Sequence, residues 1–283
     1  MAAKKSKAEA AKRIWDISKP ASELTSDRKL KVLLSGPSGS GKSTMCARTG
    51  RVLYVPTEMQ AIPVVQDANP DALVFHNLDG RAGVRSWGDI NQLRALLRDP
   101  SLEERVDWVV IDGLSDMQTI VRAHFTKRQT KRTLTTDQDT WGIIVDMTAR
   151  LAREFRDLPV NVIVTTLDME VEAGGRGVHR PAVSGKKLPN KLLGYFNLAG
   201  FTHVDELDSG EKRWQVMFRS DNRYLTKGAK GINDIEPPEP LYWLAKRFGG
   251  EAPADVLQRV REWERMEETN DDNENDNENE KPF

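Results

Sequence analysis

Residues 36–44 read Gly36-Pro37-Ser38-Gly39-Ser40-Gly41-Lys42-Ser43-Thr44. That spacing of glycines, lysine and hydroxyls is suited to holding a triphosphate. The glycines let the backbone fold into a nest whose N–H groups point at phosphate oxygens. Lys42 would reach the β and γ phosphates, and the Ser43 hydroxyl is placed to ligate Mg²⁺. A helix opening near Lys42 adds the positive end of its dipole. Two carboxylates extend this chemistry. The apolar run 108–111 ends in Asp112, about 70 residues after Lys42, where an acidic group closing a buried strand would hold the metal through water. Glu58 lies just past the strand-like run 52–56. Ligands in open α/β sheets gather at the carboxyl ends of strands, so Glu58 is a candidate base for an attacking water. Lys42, Glu58 and Asp112 form the candidate catalytic set, with Ser43 and Asp112 as the metal pair.

These residues need strands ending at one edge. Strand-like runs occur at 31–35, 52–56, 108–112 and 160–166, with a weaker one at 72–76. Helical patterns alternate with them: one from Lys42, one over 87–98 behind the N-cap candidate Ser86, and one over 141–155. In the last, Trp141, Ile144, Val145, Thr148, Leu151, Ala152 and Phe155 share a face, with Asp139 or Thr140 as its cap. The alternation predicts an α/β fold with a mostly parallel, doubly wound sheet. After residue 198, runs 201–207 and 212–219 flank the turn 208–211 and predict an antiparallel C-terminal extension. Prolines 237, 238 and 240 end the core, and residues 253–268 read as one more helix. The expected organisation is a basic N-terminal segment and linker (1–28), a core (29–246), and a C-terminal helix with a disordered acidic tail (247–283).

Composition excludes several classes. The chain is 38% hydrophobic and 30% charged, and no run approaches the roughly 18 apolar residues of a membrane span. The basic N-terminus is not followed by a signal-like apolar segment. A single cysteine, Cys46, leaves no disulfide or cysteine-rich zinc site, and four scattered histidines do not suggest a metal cage. A cytoplasmic location is expected. The net charge of −1 hides an asymmetry, because residues 267–283 carry −7 and leave +6 on the rest. An acidic tail beside a basic body suits a protein that handles nucleic acid, and also suits a simple solubilising tail.

Two stretches carry the positive charge near the expected site. The first holds Arg122, Phe125, Lys127, Arg128, Lys131 and Arg132 after the Asp112 strand, cations for phosphates and an aromatic for a base. The second, residues 168–191, reads as a long glycine-rich loop with Arg176, Arg180, Lys186 and Lys187. Two basic loops from one sheet edge favour DNA over a small substrate. A small-molecule kinase is disfavoured, since no arginine-rich lid accompanies the phosphate loop.

With residues 36–44, "VLYVPTE" (52–58) and "WVVIDGLSD" (108–116) in place, the chain resembles the RecA-like P-loop ATPases. Within them it looks most like the phage-encoded, single-strand annealing recombinase type. That likeness rests on "LPVNVIVTT" (158–166), "LPNKLLGYFNLAGFTHV" (188–204) and "RSDNRYLTKGAKG" (219–231) as a set. The resemblance implies a RecA-like core, ATP and Mg²⁺ as cofactors, a homo-oligomeric ring or filament, and single-stranded DNA as ligand. It makes Glu58 the catalytic glutamate and the two basic stretches the DNA loops. It also implies that Thr165 and Thr166 sense the γ-phosphate, and that a cation acts in trans, with Arg223 and Lys227 as candidates. A phage protein would work in the host cytoplasm. No separate C-terminal DNA-binding domain of the bacterial RecA kind is visible, so annealing is the safer expectation than full strand exchange. A motor or loader ATPase for DNA is the alternative. The Pro-Phe end of the acidic tail resembles the tip of bacterial single-strand binding proteins, so the tail either occupies the protein's own DNA loops or recruits a replication partner.

Overall fold

The computed structural model describes residues 11–13, 15–19, 29–127, 137–219 and 223–279, with side chains described as far as 266. Six strands lie parallel in the order β3 (Leu73–Val74), β2 (Val52–Pro56), β4 (Trp108–Asp112), β5 (Asn161–Ala173), β1 (Lys31–Gly36) and β7 (Leu198–Glu206). Then β8 (Lys212–Met217) and β9 (Ile235–Glu236) add on antiparallel. This is the expected core, a mostly parallel doubly wound sheet with an antiparallel C-terminal extension.

The central strands are apolar on both sides because helices cover both faces. Successive residues alternate between two cores. Leu33, Val109, Ile111, Val162 and Val164 join one cluster, while Val32, Leu34, Trp108, Val110 and Ile163 join the other. The phosphate loop leads from β1 into α1 (Lys42–Ala47), and α2 (Ala61–Ala68) follows β2. Helix α3 (Trp87–Leu96) starts at Ser86, whose hydroxyl accepts the Asp89 N–H at 3.1 Å. After the short α4 (Leu102–Arg105) and β4 come α5 (Leu114–Thr126) and α6 (Gln138–Arg156). The buried stripe of α6 is Ile144, Thr148, Ala149, Leu151, Ala152 and Phe155. Its cap is Asp137, which accepts the Thr140 N–H at 2.7 Å, so the helix begins earlier than Asp139 or Thr140 would have it.

Two expectations change. Residues 168–191 are not a loop. Strand β5 runs past the sheet and pairs antiparallel with β6 (Arg176–Pro181) as a hairpin, then α7 (Leu188–Tyr195) follows. The strand-like alternation of residues 167–173 was masked by the glycines after it. Gly174 and Gly175, at φ 63° and 77°, supply the positive dihedrals that a two-residue hairpin turn requires. The second change is at the C-terminus. Helix α8 (Pro240–Phe248) is followed by α9 (Ala254–Asn279), which extends into the acidic tract expected to be disordered, since a nucleated helix propagates at one hydrogen bond per residue. Ala252, Val256 and Val260 pack on Leu241, Tyr242 and Ala245, so this segment is tied to the core.

Candidate nucleotide site

Register explains why the site forms where it does. β5 lies between β1 and β4, aligning Thr165 with Leu34 and bringing it beside the end of β4. Asp112 is then gripped from two neighbouring strands and a helix. Its Oδ1 accepts the Thr165 hydroxyl at 2.5 Å, and its Oδ2 accepts the Ser43 hydroxyl at 2.8 Å and the Tyr54 phenol. Burial, with Asp112 beside it, pushes the Tyr54 pKa well above its ordinary value, so the phenol stays protonated and donates. Thr57 stitches the ends of β2 and β4 together, accepting from the Gly113 N–H at 2.9 Å and donating to the Asp112 carbonyl at 3.0 Å.

Lys42 folds back over its own loop. Its ammonium donates to the Gly36 and Pro37 carbonyls at 2.8 and 2.7 Å and reaches the Ser40 hydroxyl at 3.3 Å. Burial lowers its pKa, while the Asp112, Asp168 and Glu58 carboxylates pull the other way. An incoming phosphate would replace two neutral carbonyls by anionic oxygens, which make stronger charge-assisted bonds.

A cavity of about 530 Å³ opens here, lined by Ser38, Gly39, Gly41, Lys42, Ser43 and Thr44 of the loop and by Glu58, Asp112, Thr165 and Thr166 from the strand ends. Gly36, Pro37 and Ser40 do not line it; Gly36 and Ser40 are buried supports, and Ser40 bonds Thr202 at 2.6 Å. Glu58 is exposed to the cavity and held by the side-chain amide of Gln60. Ser43 and Asp112 supply hard oxygens side by side, a donor set that fits Mg²⁺ with waters completing its shell. The Thr166 hydroxyl is buried, faces no protein partner and lies on the cavity wall.

Tyr54, Thr57 and Asp116 were not anticipated. Tyr54 sits inside an apolar strand where its hydroxyl had no visible use, and Asp116 lies one turn into α5. Burial and the neighbouring Glu58 raise the Asp116 pKa. A carboxyl with a raised folded pKa loses stability as pH climbs from its unfolded value through the folded one. Asp116→Asn is therefore expected to raise the melting temperature by a degree or more at pH 7. The gain should vanish near pH 3, where both states of the wild type are protonated, and thermal melts across pH would check this.

The predicted DNA residues are dispersed. Arg122 and Lys127 are exposed on the last turns of α5. Phe125 is half-buried in a cluster with Trp87 and His124, at ring distances of 5.5 and 5.0 Å, so its faces are partly spent on the protein. Arg128, Lys131 and Arg132 lie outside the described residues. Arg176 is at the hairpin tip, and Arg180 is on its return strand. The outgoing strand carries Asp168, Glu170 and Glu172, so the hairpin is not uniformly basic. Lys186 and Lys187 are exposed between β6 and α7. Of the two trans candidates, Lys227 donates to the Phe196 and Leu193 carbonyls at 2.7 and 3.3 Å, at the end of α7. Arg223 lies beside the hairpin, where its carbonyl accepts the His179 N–H at 2.7 Å.

No helix among the described residues is long and apolar enough to cross a membrane. No described cluster of His, Cys, Asp and Glu forms a metal cage. Comparison with curated proteins finds no match. Among solved structures, the chain is similar to the flagellar accessory protein FlaH from Methanocaldococcus jannaschii, at 12% identity and TM-score 0.35 over 70% of this chain and 79% of that one. It is also similar to the KaiC-like protein PH0186 from Pyrococcus horikoshii, at 13% identity and TM-score 0.34 over 70% and 81%. At these scores neither likeness speaks to what this chain binds. The model of the AAA domain family matches residues 28–229, which contain the phosphate loop, Glu58, Asp112 and the hairpin. The chain belongs to the AAA domain family, and its P-loop is an ATPase site of that kind.

Proposed function

We propose that this protein is a Mg²⁺-dependent ATPase that binds single-stranded DNA and promotes strand annealing in homologous recombination, working as a homo-oligomer. One observation supports DNA as the ligand. Gln118 of α5 exchanges two hydrogen bonds with Ser184, at 2.6 and 3.0 Å, and Ser115 accepts the Leu167 N–H at 3.1 Å. Both ends of the hairpin are thus fastened to the helix that starts one residue after Gly113. Gly185 rests against Val145, two turns into α6, so Lys186 and Lys187 follow directly on a point packed against that helix. A change at the γ-phosphate would reach both basic segments through α5.

In the hydrolytic step, Glu58 takes the proton of an attacking water while Lys42 holds the oxygens of the transferred phosphoryl group. Mg²⁺, bound with the nucleotide, neutralises phosphate charge, and Ser43 and Asp112 would hold it. Tyr54 and Thr165 keep the Asp112 carboxylate turned toward Ser43. Arg223 and Lys227 are the candidates for a cation given to a neighbouring subunit. The acidic tail would contact the DNA loops or a single-strand binding partner.

ATP turnover with and without an oligonucleotide, run beside annealing of complementary strands, tests the reading. Stimulation with annealing supports it, stimulation without annealing favours a motor or loader, and the absence of both defeats it. Replacing both Lys186 and Lys187 by Glu should weaken oligonucleotide binding and flatten its log–log salt dependence by about 1–2. Fluorescence anisotropy at several salt concentrations reads this, with thermal melting to show that the variant is folded.

A further inference from the structure

The cavity continues past the groups that phosphate chemistry uses. Beyond Thr44 it is bounded by Met45 of α1 and Arg48 at its C-cap, Ala61 and Val64 of α2, and Trp214 and Pro238. The sheet order places β2 and β8 on opposite sides of β1. The α2 residues and Trp214 therefore approach the phosphate loop from two sides. Trp214 lies on the open face of its strand, opposite the buried residues that flank it. Its neighbours Arg213 and Gln215 are buried, whereas its large ring is 41% exposed and faces the cavity. The ring lies against the loop, since a Cβ on Gly41 would come within 2.8 Å of its Cδ1. Its backbone is held, because the Trp214 carbonyl accepts the Trp263 indole N–H at 3.1 Å and Arg213 lies 3.9 Å from the Trp263 ring.

The polar side chains at this end already have partners. Arg48 faces the buried Glu239 carboxylate at 3.6 Å, and Gln60 is bonded to Glu58. What the wall offers a ligand is apolar area and one indole face. From this geometry we infer that Trp214 is the stacking platform for the nucleoside base, and that the site takes nucleoside triphosphates by stacking rather than by reading base edges. The inference rests on the P-loop reading above. An aromatic face grips any base, and its removal costs a large factor in affinity.

Titration calorimetry on the full chain with Mg²⁺ tests it, using ATP, GTP and inorganic tripolyphosphate against wild type, Trp214→Ala and Trp214→Phe. Trp214→Ala should weaken ATP and GTP alike by about tenfold or more and leave tripolyphosphate unchanged, because tripolyphosphate has no base to stack. Trp214→Phe should stay within about threefold of wild type. Unchanged ATP affinity in Trp214→Ala, an equal loss for tripolyphosphate, or a loss confined to one purine would each overturn the inference. Wild type binding neither ATP nor tripolyphosphate would instead remove the P-loop reading, and the inference with it.

Discussion

Lys42→Ala is expected to lower ATP turnover by about a thousandfold, the loss typical of removing a preorganised group aimed at developing negative charge. The ammonium is buried and already bonded to its own loop, so the wild type holds it in place before any phosphate arrives. Its replacement removes a desolvated charge, and the Pro37 carbonyl keeps the Ser40 hydroxyl as a donor at 2.8 Å. Stability should therefore change little, and a thermal melt within a few degrees of wild type would separate lost chemistry from lost folding. Steady-state phosphate release measures the effect. Residual turnover above about a tenth of wild type would remove Lys42 from its role. If hydrolysis drives annealing, annealing should fall in step.

Glu58→Gln should leave nucleotide affinity near wild type and reduce turnover by about 10²–10⁴-fold, the span that a positioned base contributes. The amide keeps the size of the side chain and can still bond Gln60, so the cavity wall is preserved. The profile to look for is a collapsed kcat with little change in nucleotide Kd. Asp116 is the rival base, because it lines the same cavity and its pKa is raised by burial and by Glu58. Turnover surviving in Glu58→Gln and failing in Asp116→Asn would move the role one helix turn into α5.

The phosphate loop, Asp112 and the parallel core were legible because each rests on local pattern: a fixed glycine spacing, and apolar runs ending in a carboxylate. Tyr54 and Thr165 gained their meaning only through strand order, since both bond Asp112 from different strands and sequence spacing does not say which strands are neighbours. Trp214 was hidden for the same reason, lying some 170 residues from the loop it touches. Ser86 could be read as a cap from its neighbours, whereas Asp137 was missed because the cap lies ahead of the first apolar residue of its helix. The hairpin was read as a loop because Gly174 and Gly175 dominate its composition, although they make only its turn.

Glu239 is almost fully buried and is shared by two guanidinium groups, Arg259 of α9 at 2.7 Å and Arg48 at the C-cap of α1 at 3.6 Å. A chain ended at residue 246, the boundary that the prolines suggest, would strip that carboxylate of its closer partner and leave it to the more distant Arg48, at a cost in stability. Arg48 would then be drawn more strongly toward Glu239, and it stands at the end of the phosphate-loop helix. Where the chain is cut would thus be felt as nucleotide affinity: a deletion beginning at 267 trims only the acidic end, while one beginning at 247 dismantles a strut of the nucleotide cavity.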